Sequence, residues 1–527
     1  MRKTLQTVFF VLGLLFVQSL LHAQSSSFLG DGMQDIVRRN QLLGRVSPQA
    51  AFMINGFAEV NTAIDSLYPL NKKNNKPKII QYLPIQIIQQ FNSGYPQGLN
   101  DGAMIAAKGM QHLLALGIKG SIGNFSYQLR PEFVSALNPN FETFSTEQYP
   151  KIWESYYRWL NKIDQPEQMG RGAYNKVFAG QSFIQYNFNN IAVGISNENI
   201  WWGPGRFNAL VMSNNAPGFA HISVKTTSPF QTAIGRFETQ LIAGSLKASG
   251  ILPPDRNRFD SVGAPIYQPK PTQSRSLVGL NISWQPKWTN GLSVGVTAVS
   301  YGYNGAAAPY NKKAIIGSLF ARYLMPAENA ELYFEYGRND KIPTPFNLAF
   351  ETGYPRAYVA GFRKLFATRK KHFWEFAAEF TQLQLPTAEL TQTTNSWYTS
   401  VHVPHGYTHQ GQVIGAGIGP GSNSQIMDIS YVNGMNKIGV KFERMVHNND
   451  FYYYTWQGLG EFARRWVDLS TTIHANWQFK QLILSGQMGL IRSQNYQWRT
   501  LEAPLFYFSR GYDRLNFHSK LSLIYRF

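Results

Sequence analysis

The feature that most constrains this chain is a hydrophobic period of two that recurs from about Ile79 to Phe527. Val278, Leu280, Ile282 and Trp284 alternate with Leu277, Gly279, Asn281 and Ser283. A turn at Asn290-Gly291 follows, and then Leu292, Val294, Val296 and Ala298 alternate with Ser293, Gly295 and Thr297. Successive side chains of a strand point to opposite faces, so this is a hairpin with one apolar face and one small or polar face. Trp374, Phe376, Ala378 and Phe380 alternate in the same way with Glu375 and Glu379. So do Ile473, Ala475, Trp477 and Phe479 with His474, Asn476 and Gln478, and Leu482, Leu484 and Met488 with Ser485 and Gln487. In the last segment Phe517, Leu521, Leu523, Tyr525 and Phe527 share one face, opposite His518, Lys520, Ser522 and Arg526. Such an alternating strand with a terminal aromatic is the usual closing strand of a bacterial outer-membrane barrel.

Soluble β-sandwiches also alternate, and three further features separate the two. The apolar faces carry Trp, Tyr and Phe near strand ends, where the aromatic girdles of membrane barrels sit, and the opposite faces carry Gly, Ser, Gln, Glu and Arg, which suits a wet lumen. Composition agrees: 14% of residues are aromatic and only 15% charged, against about 25% charged in ordinary soluble proteins. The third feature is an export signal. Met1–Ala23 reads as a signal peptide, with Arg2 and Lys3 as its basic region, Val8–Val17 as its apolar run and Leu21-His22-Ala23 as its cleavage site. The apolar run is shorter than a spanning helix needs. Lipid cannot satisfy open backbone groups, so a β protein in a membrane must close on itself. The roughly 450 residues from Ile79 to Phe527, at about 25 per strand and connection, make about 18 strands, and bacterial barrels favour even numbers.

The sequence therefore predicts an all-β fold: a transmembrane antiparallel β-barrel of about 18 strands spanning 79–527. A short N-terminal periplasmic segment and linker covers 24–78. That segment holds one expected helix, with Asp31-Gly32-Met33-Gln34 at its start, an apolar face of Met33, Ile36, Val37, Leu42 and Leu43, and Gly44 as its stop. Asn71–Lys78 is a basic, solvated linker. The chain contains no cysteine, which excludes disulfide staples, thiolate zinc sites and a thiol nucleophile.

Catalytic signatures are missing. Metal-protease, P-loop and serine-hydrolase patterns do not occur. The run Gly415–Gly421 lacks phosphate-loop spacing and reads as a flexible loop. His402, His405 and His409 have the spacing of a helical metal site, but Pro404 and Gly406 break any helix there. Glu375 and Glu379 face the same way, yet positions i and i+4 of a strand stand roughly 13 Å apart, too far for a glycosidase pair. Both read as lumen carboxylates paired with Arg or Lys, Arg363 on the preceding strand among them.

The most distinctive segment is Asn197–Leu210, where Trp201-Trp202 runs directly into the hard turn Gly203-Pro204-Gly205. From its residues alone an aromatic-belt anchor followed by a turn is favoured, over a stacking platform or a loop folded into the lumen. This motif, continued by Leu210–Ala216, resembles the signature of the capsule-assembly Wzi family of outer-membrane proteins. A second stretch is similar to the family's Tyr- and Gly-rich loop: Trp397-Tyr398, then His405–Gln412, Ile414-Gly415 and Gly419–Ser422. Leu129–Phe133 looks like an early family strand.

The resemblance, from about Ile80 to Phe527, implies an 18-stranded barrel in the outer membrane of a Gram-negative bacterium. It also implies a lectin-like, non-catalytic role in holding capsular polysaccharide or exopolysaccharide at the cell surface. Better-known members carry a periplasmic helical bundle before the barrel, whereas Phe28–Lys78 offers one helix here. Tyr and Trp present both a flat face and a polar tip to sugars, so Trp397, Tyr398, His402, His405, Tyr407 and His409 are the expected carbohydrate contacts. The cluster Tyr452, Tyr453, Tyr454 and Trp456 reads as girdle or loop tip. Loss of Arg2 and Lys3 lowers the formal charge from +19 to +17, which favours acidic surface polysaccharide and the phosphates of lipopolysaccharide. The expected partners are these and outer-membrane lipid, with no nucleic acid, no cofactor and no metal, and the barrel is expected to be a monomer. The alternative function is a porin or saccharide diffusion channel.

Overall fold

The structure, a computed structural model, describes residues 31–45, 79–305, 307, 309–339, 344, 356–368, 372–386, 395–456, 460, 463–501 and 511–526. The alternating segments form strands joined edge to edge. In chain order these are β1 (Gln81–Asn92), β2 (Gly109–Ile122), β3 (Phe125–Leu129 and Glu132–Ala136) and β4 (Tyr174–Phe178 and Phe183–Phe188). Next come β5 (Ile191–Ser196), β6 (His221–Thr226 and Phe230–Thr232), β7 (Gly235–Leu246), β8 (Arg275–Pro286) and β9 (Leu292–Tyr303). They are followed by β10 (Ala314–Met325), β11 (Ala330–Asn339), β12 (Arg356–Ala367), β13 (Phe373–Gln382) and β14 (Asn423–Asn433). β15 (Asn436–Val446), β16 (Val467–Phe479), β17 (Leu482–Gln494) and β18 (Arg514–Tyr525) complete the set. Each strand pairs antiparallel with its neighbours in sequence, and β1 pairs with β18 from Ile85↔Tyr525 to Asn92↔His518, so the sheet closes into an 18-stranded barrel. Closure pairs the first strand with the last, so neither is left as an open edge in lipid.

Alternation divides the wall as the sequence predicts. Val278, Leu280, Trp374, Phe380, Ile473, Phe517 and Leu521 face outward and are exposed, whereas Asn281, Ser283, Glu375, Glu379, Asn516 and His518 face inward and are buried. One mouth carries short connections, such as Gly434-Met435 and Lys480-Gln481. The other carries the long loops 93–108, 137–173, 197–220 and 247–274 and the described parts of the connections 383–422, 447–466 and 495–513. Short turns mark the periplasmic mouth of such barrels and long loops the extracellular one.

The expected helix is present as α1 (Asp31–Leu42), and its setting differs from that of an ordinary amphipathic helix. Ile36, Val37, Arg38, Arg39, Asn40, Gln41 and Leu42 are all buried. The helix lies inside the periplasmic mouth: Leu42 packs on Leu324 and Leu365, and the Arg39 guanidinium donates to Gly434 O at 3.1 Å. Its polar side is buried because the lumen wall is itself polar. The leader 1–23, the linker 71–78 and Phe527 lie outside the described residues.

Two further helices, α2 (Pro150–Leu160) and α3 (Asn449–Thr455), belong to the extracellular loops. They join Phe144, Trp153, Tyr156, Phe451, Trp456 and Trp498 in one aromatic cluster over the outer mouth. Tyr452 and Trp456 are buried in it and Tyr453 and Tyr454 pack half-buried against it. This corrects the girdle reading: the rings face one another in a cap, where aromatic pairing adds to simple burial.

Candidate functional site

Sequence reasoning placed the Trp-Trp-Gly-Pro-Gly segment in the interfacial belt. The structure places it inside the barrel. Trp202 is fully buried, its indole N–H donates to Gln240 Oε1 at 2.9 Å, and its ring lies over Gly279, where an added Cβ would sit 3.0 Å from ring carbons. Trp201 is half-buried at the edge of a lumen cavity. The inward course has a polar cause. After Gly203-Pro204-Gly205, the backbone N–H groups of Arg206, Phe207 and Asn208 donate to the Glu379 carboxyl oxygens at 2.7, 3.0 and 2.8 Å, and the Tyr333 hydroxyl adds a fourth bond at 2.9 Å. The Leu210 N–H donates to Glu335 at 3.2 Å. Gly203 has φ +124°, and a Cβ there would lie 2.8 Å from the same Glu335 carboxyl group. Such a backbone favours glycine. Glu379 is thus paired with a loop backbone, where the sequence reading expected a cation.

Glu375 follows the sequence reading. It is bound by Arg363 at 2.9 Å, Lys437 at 2.9 Å and Arg206 at 3.2 Å. Asp35 of α1 reaches Arg206 at 3.2 Å and Arg363 at 3.1 Å, while Arg38 of α1 and Arg322 of the wall meet Glu331 at 2.9 and 2.6 Å. One buried network therefore ties the helix, the inward loop and the wall. Buried charges persist only when paired in this way.

The second distinctive stretch folds inward too. Tyr398 donates its hydroxyl to Leu210 O at 2.7 Å and accepts from the Ala416 N–H at 2.6 Å. The Ser213 N–H donates to Ile414 O at 2.9 Å, its hydroxyl to Gly415 O at 2.5 Å, and the Asn215 amide to Val413 O at 2.9 Å. Two segments almost two hundred residues apart thus interlock as one plug across the lumen. Gly415–Gly421 is part of it and nearly all buried, so it is not the flexible loop the sequence implied.

These contacts decide where the expected sugar ligands stand. Trp397, Tyr398 and Tyr407 are fully buried, His405 and His409 are 7% and 2% exposed, and only His402 is half-buried. Tyr398 and Tyr407 stack on each other with centroids 5.9 Å apart. His405 Nδ1 meets the Tyr303 hydroxyl at 2.6 Å, and His409 Nδ1 accepts the Lys247 N–H at 3.1 Å. Burial, with the nearby Arg275 guanidinium, holds both imidazoles neutral, pushed down to about 3. A ring covered by protein on both faces offers no platform to a sugar, so five of the six residues are corrected from ligands to plug core. The three histidines are not gathered for a metal, and among the described residues no group of three His, Asp or Glu side chains could hold one.

Beneath the plug a cavity of about 430 Å³ runs along β14–β18 and β1. His474, Asn476, Gln487, His518 and Lys520 line it opposite Trp201, Arg206 and Phe207. From sequence a lumen loop at 197–210 is only the less favoured alternative, and its interlock with 397–421 is not legible because neither half carries a signal for the other. The only sequence trace is the number of small and polar residues, Gly279 among them, that leave room on the lumen face.

A sequence profile of the capsule assembly protein Wzi family matches residues 98–497. No curated protein matches the chain in sequence. Among solved structures, Wzi from Escherichia coli, described as a carbohydrate-binding β-barrel involved in group 1 capsule assembly, is similar to this chain with a TM-score of 0.61 at 10% identity, covering 96% of this chain and 100% of that one. Acinetobacter baumannii OccAB2 is similar at a TM-score of 0.40 and 11% identity, covering 84% and 97%. The profile spans most of the chain, the fold is the outer-membrane barrel that the family requires, and the protein belongs to the Wzi family of capsule-assembly proteins.

Proposed function

We propose that this barrel retains capsular polysaccharide or exopolysaccharide at the cell surface as a lectin-like, non-catalytic monomer. The observation that carries the reading is the interlocked plug. A channel needs a wide continuous wet path, whereas here the fully buried Trp202, Leu210, Tyr398 and Tyr407 close the lumen on its β8–β11 side and leave a cavity of about 430 Å³ on the other. Sugar contacts then belong to the outer rim. At that rim the Arg499 and Arg514 guanidiniums lie 4.4 and 4.2 Å from the Tyr512 ring centroid and share one carboxylate, Glu142, so the group keeps a net positive charge suited to acidic sugars. His402 is the one earlier candidate that keeps some exposure.

The test is retention of the host's own surface polysaccharide by the purified barrel, with Arg499→Gln/Arg514→Gln as the weakened variant. Retention that falls in the variant, together with shedding of polysaccharide by cells lacking the protein, supports the reading. No retention, with steady conductance in planar bilayers, would replace it with the diffusion channel.

A further inference from the structure

The barrel wall is not equally tall all the way round. β5 has six residues and the upper segment of β6 six, whereas β7 and β8 have twelve each. Register turns this into height. Paired residues lead from Gln81 at the periplasmic mouth through Lys119, Gln128 and Phe183 to Ser196, the last residue of β5. With strands about 4.8 Å apart and tilted by about 40°, each step climbs about 3 Å. Ser196 therefore stands about 12 Å above the mouth, midway up an apolar band about 25 Å tall. There the chain leaves the wall for the lumen, and it returns only at His221.

The flanking strands continue upward. The upper segment of β4, Tyr174–Phe178, pairs with β3 on one side and has no strand partner on the other. The same count carries Ile88 through Leu113 and Val134 to Lys176, and Ser196 through His221 to Gly244 and on to Leu246. It sets Lys176 and Lys247 at about the same height, roughly 25 Å up, at the outer interface. Between them the wall has a notch three strand spacings, about 14 Å, wide.

The notch is backed by the plug. The tip of its two-stranded ribbon (Thr408-His409 with Gln412-Val413) reaches between the flanking strands. The Gln410 N–H donates to Lys247 O at 2.8 Å, and the Lys176 ammonium donates to the Gln410 side chain. Lys176 pairs with Val134, which is buried in the interior, yet Lys176 is exposed because the wall beside it is missing. Lys247 is exposed as well. Among the described residues neither lysine has a carboxylate within 4.0 Å. Other inward-facing lysines are matched, Lys437 by Glu375 at 2.9 Å and Lys520 by Asp101 at 2.6 Å.

Acyl chains cannot satisfy ammonium groups and a strand edge. The occupant must bring hydrogen-bonding groups and negative charge, and must come from the outer leaflet beside the notch. We propose that this notch holds the phosphorylated sugar headgroup of an outer-leaflet glycolipid, with a phosphate between Lys176 and Lys247 and sugar hydroxyls toward Gln410. The site shares with the polysaccharide reading only the placement in the outer membrane.

The test compares the wild-type full chain with Lys176→Gln/Lys247→Gln, both purified from outer membranes in mild detergent. Bound glycolipid is read by native mass spectrometry and phosphate analysis, and binding by titration with purified diphosphorylated lipid A. Wild type is expected to retain the glycolipid, the variant to bind at least tenfold more weakly, and dephosphorylated lipid A to bind wild type at least tenfold more weakly. Inorganic phosphate or phosphatidylglycerol displacing lipid A at equal concentration would overturn the assignment to a sugar headgroup. Equal retention by variant and wild type would overturn the site. Circular dichroism and heat-modifiable gel migration check that the variant is folded. Pull-down with lipid-free polysaccharide is scored separately, so loss of that binding with glycolipid retention intact counts against the lectin reading alone.

Discussion

Glu379 is the anchor whose removal most directly tests the plug. Its buried carboxyl group accepts three backbone N–H bonds and one hydroxyl bond. Ala at 379 removes every acceptor. At about 1 kcal/mol net per bond the inward turn loses about 4 kcal/mol, roughly a thousandfold in a local opening equilibrium. Gln at 379 is nearly isosteric but carries one acceptor oxygen and one amide donor. With its oxygen facing Arg206 and Phe207, its NH₂ confronts the Asn208 N–H. The loss is then about 1–3 kcal/mol, or about ten- to a hundredfold. The assay is amide hydrogen exchange in the folded barrel, read on peptides covering 203–212. Exchange at Arg206, Phe207 and Asn208 is expected to rise in the order wild type, Gln, Ala, with planar-bilayer conductance rising in the same order. Unchanged exchange in the Ala variant would refute the claim that Glu379 holds the loop inside. Equal effects of Gln and Ala would refute the count of acceptors.

Further outcomes follow from the same geometry. Gly203→Ala must place a side chain at φ +124° against Glu335. It is expected to cost about 1–3 kcal/mol, seen as faster exchange across 201–212. Tyr398→Phe strips the hydroxyl that joins Leu210 to Ala416 and leaves a buried N–H and carbonyl unmet. It is expected to loosen both halves of the plug by about 1–3 kcal/mol, with coupled exchange in 208–216 and 395–418. Asp450 of α3 is buried, accepts the Leu385 N–H at 2.9 Å and has its carboxyl pushed up to about 7. A raised acid binds more protons folded than unfolded, so its contribution to stability falls as pH rises from about 4 to 7 and then levels off. Protection around 449–456, taken relative to the intrinsic base-catalysed exchange rate, is therefore expected to fall over that range in wild type and to stay flat in Asp450→Asn.

Much of the architecture could be read from residue order, and the reason is local. Strand periodicity needs only neighbours two apart, so the outward Val278, Leu280 and Ile282 and the inward Asn281 and Ser283 were legible at once, as were the closing strand and the strand number. A helix at Asp31–Leu42 was legible from its starting residues and its apolar spacing. Its burial on all sides was not, because Arg38 and Arg39 look like solvent residues until Glu331 and Glu375 are brought beside them from strands three hundred residues away. The fate of Trp202 was likewise undecided in sequence. An interfacial belt and a packed lumen both welcome indole, and only the carboxyl groups of Glu335 and Glu379, which capture the loop backbone, choose between them. Trp397, Tyr398, Tyr407 and the buried histidines have the chemistry of sugar ligands but are covered by their own chain. The unequal height of β5 and β6, and the pair of lysines beside the gap, exist only once register is known. Periodicity, charge and turns act over a few residues and are written in order; which polar group meets which across a lumen is set when the sheet closes on itself.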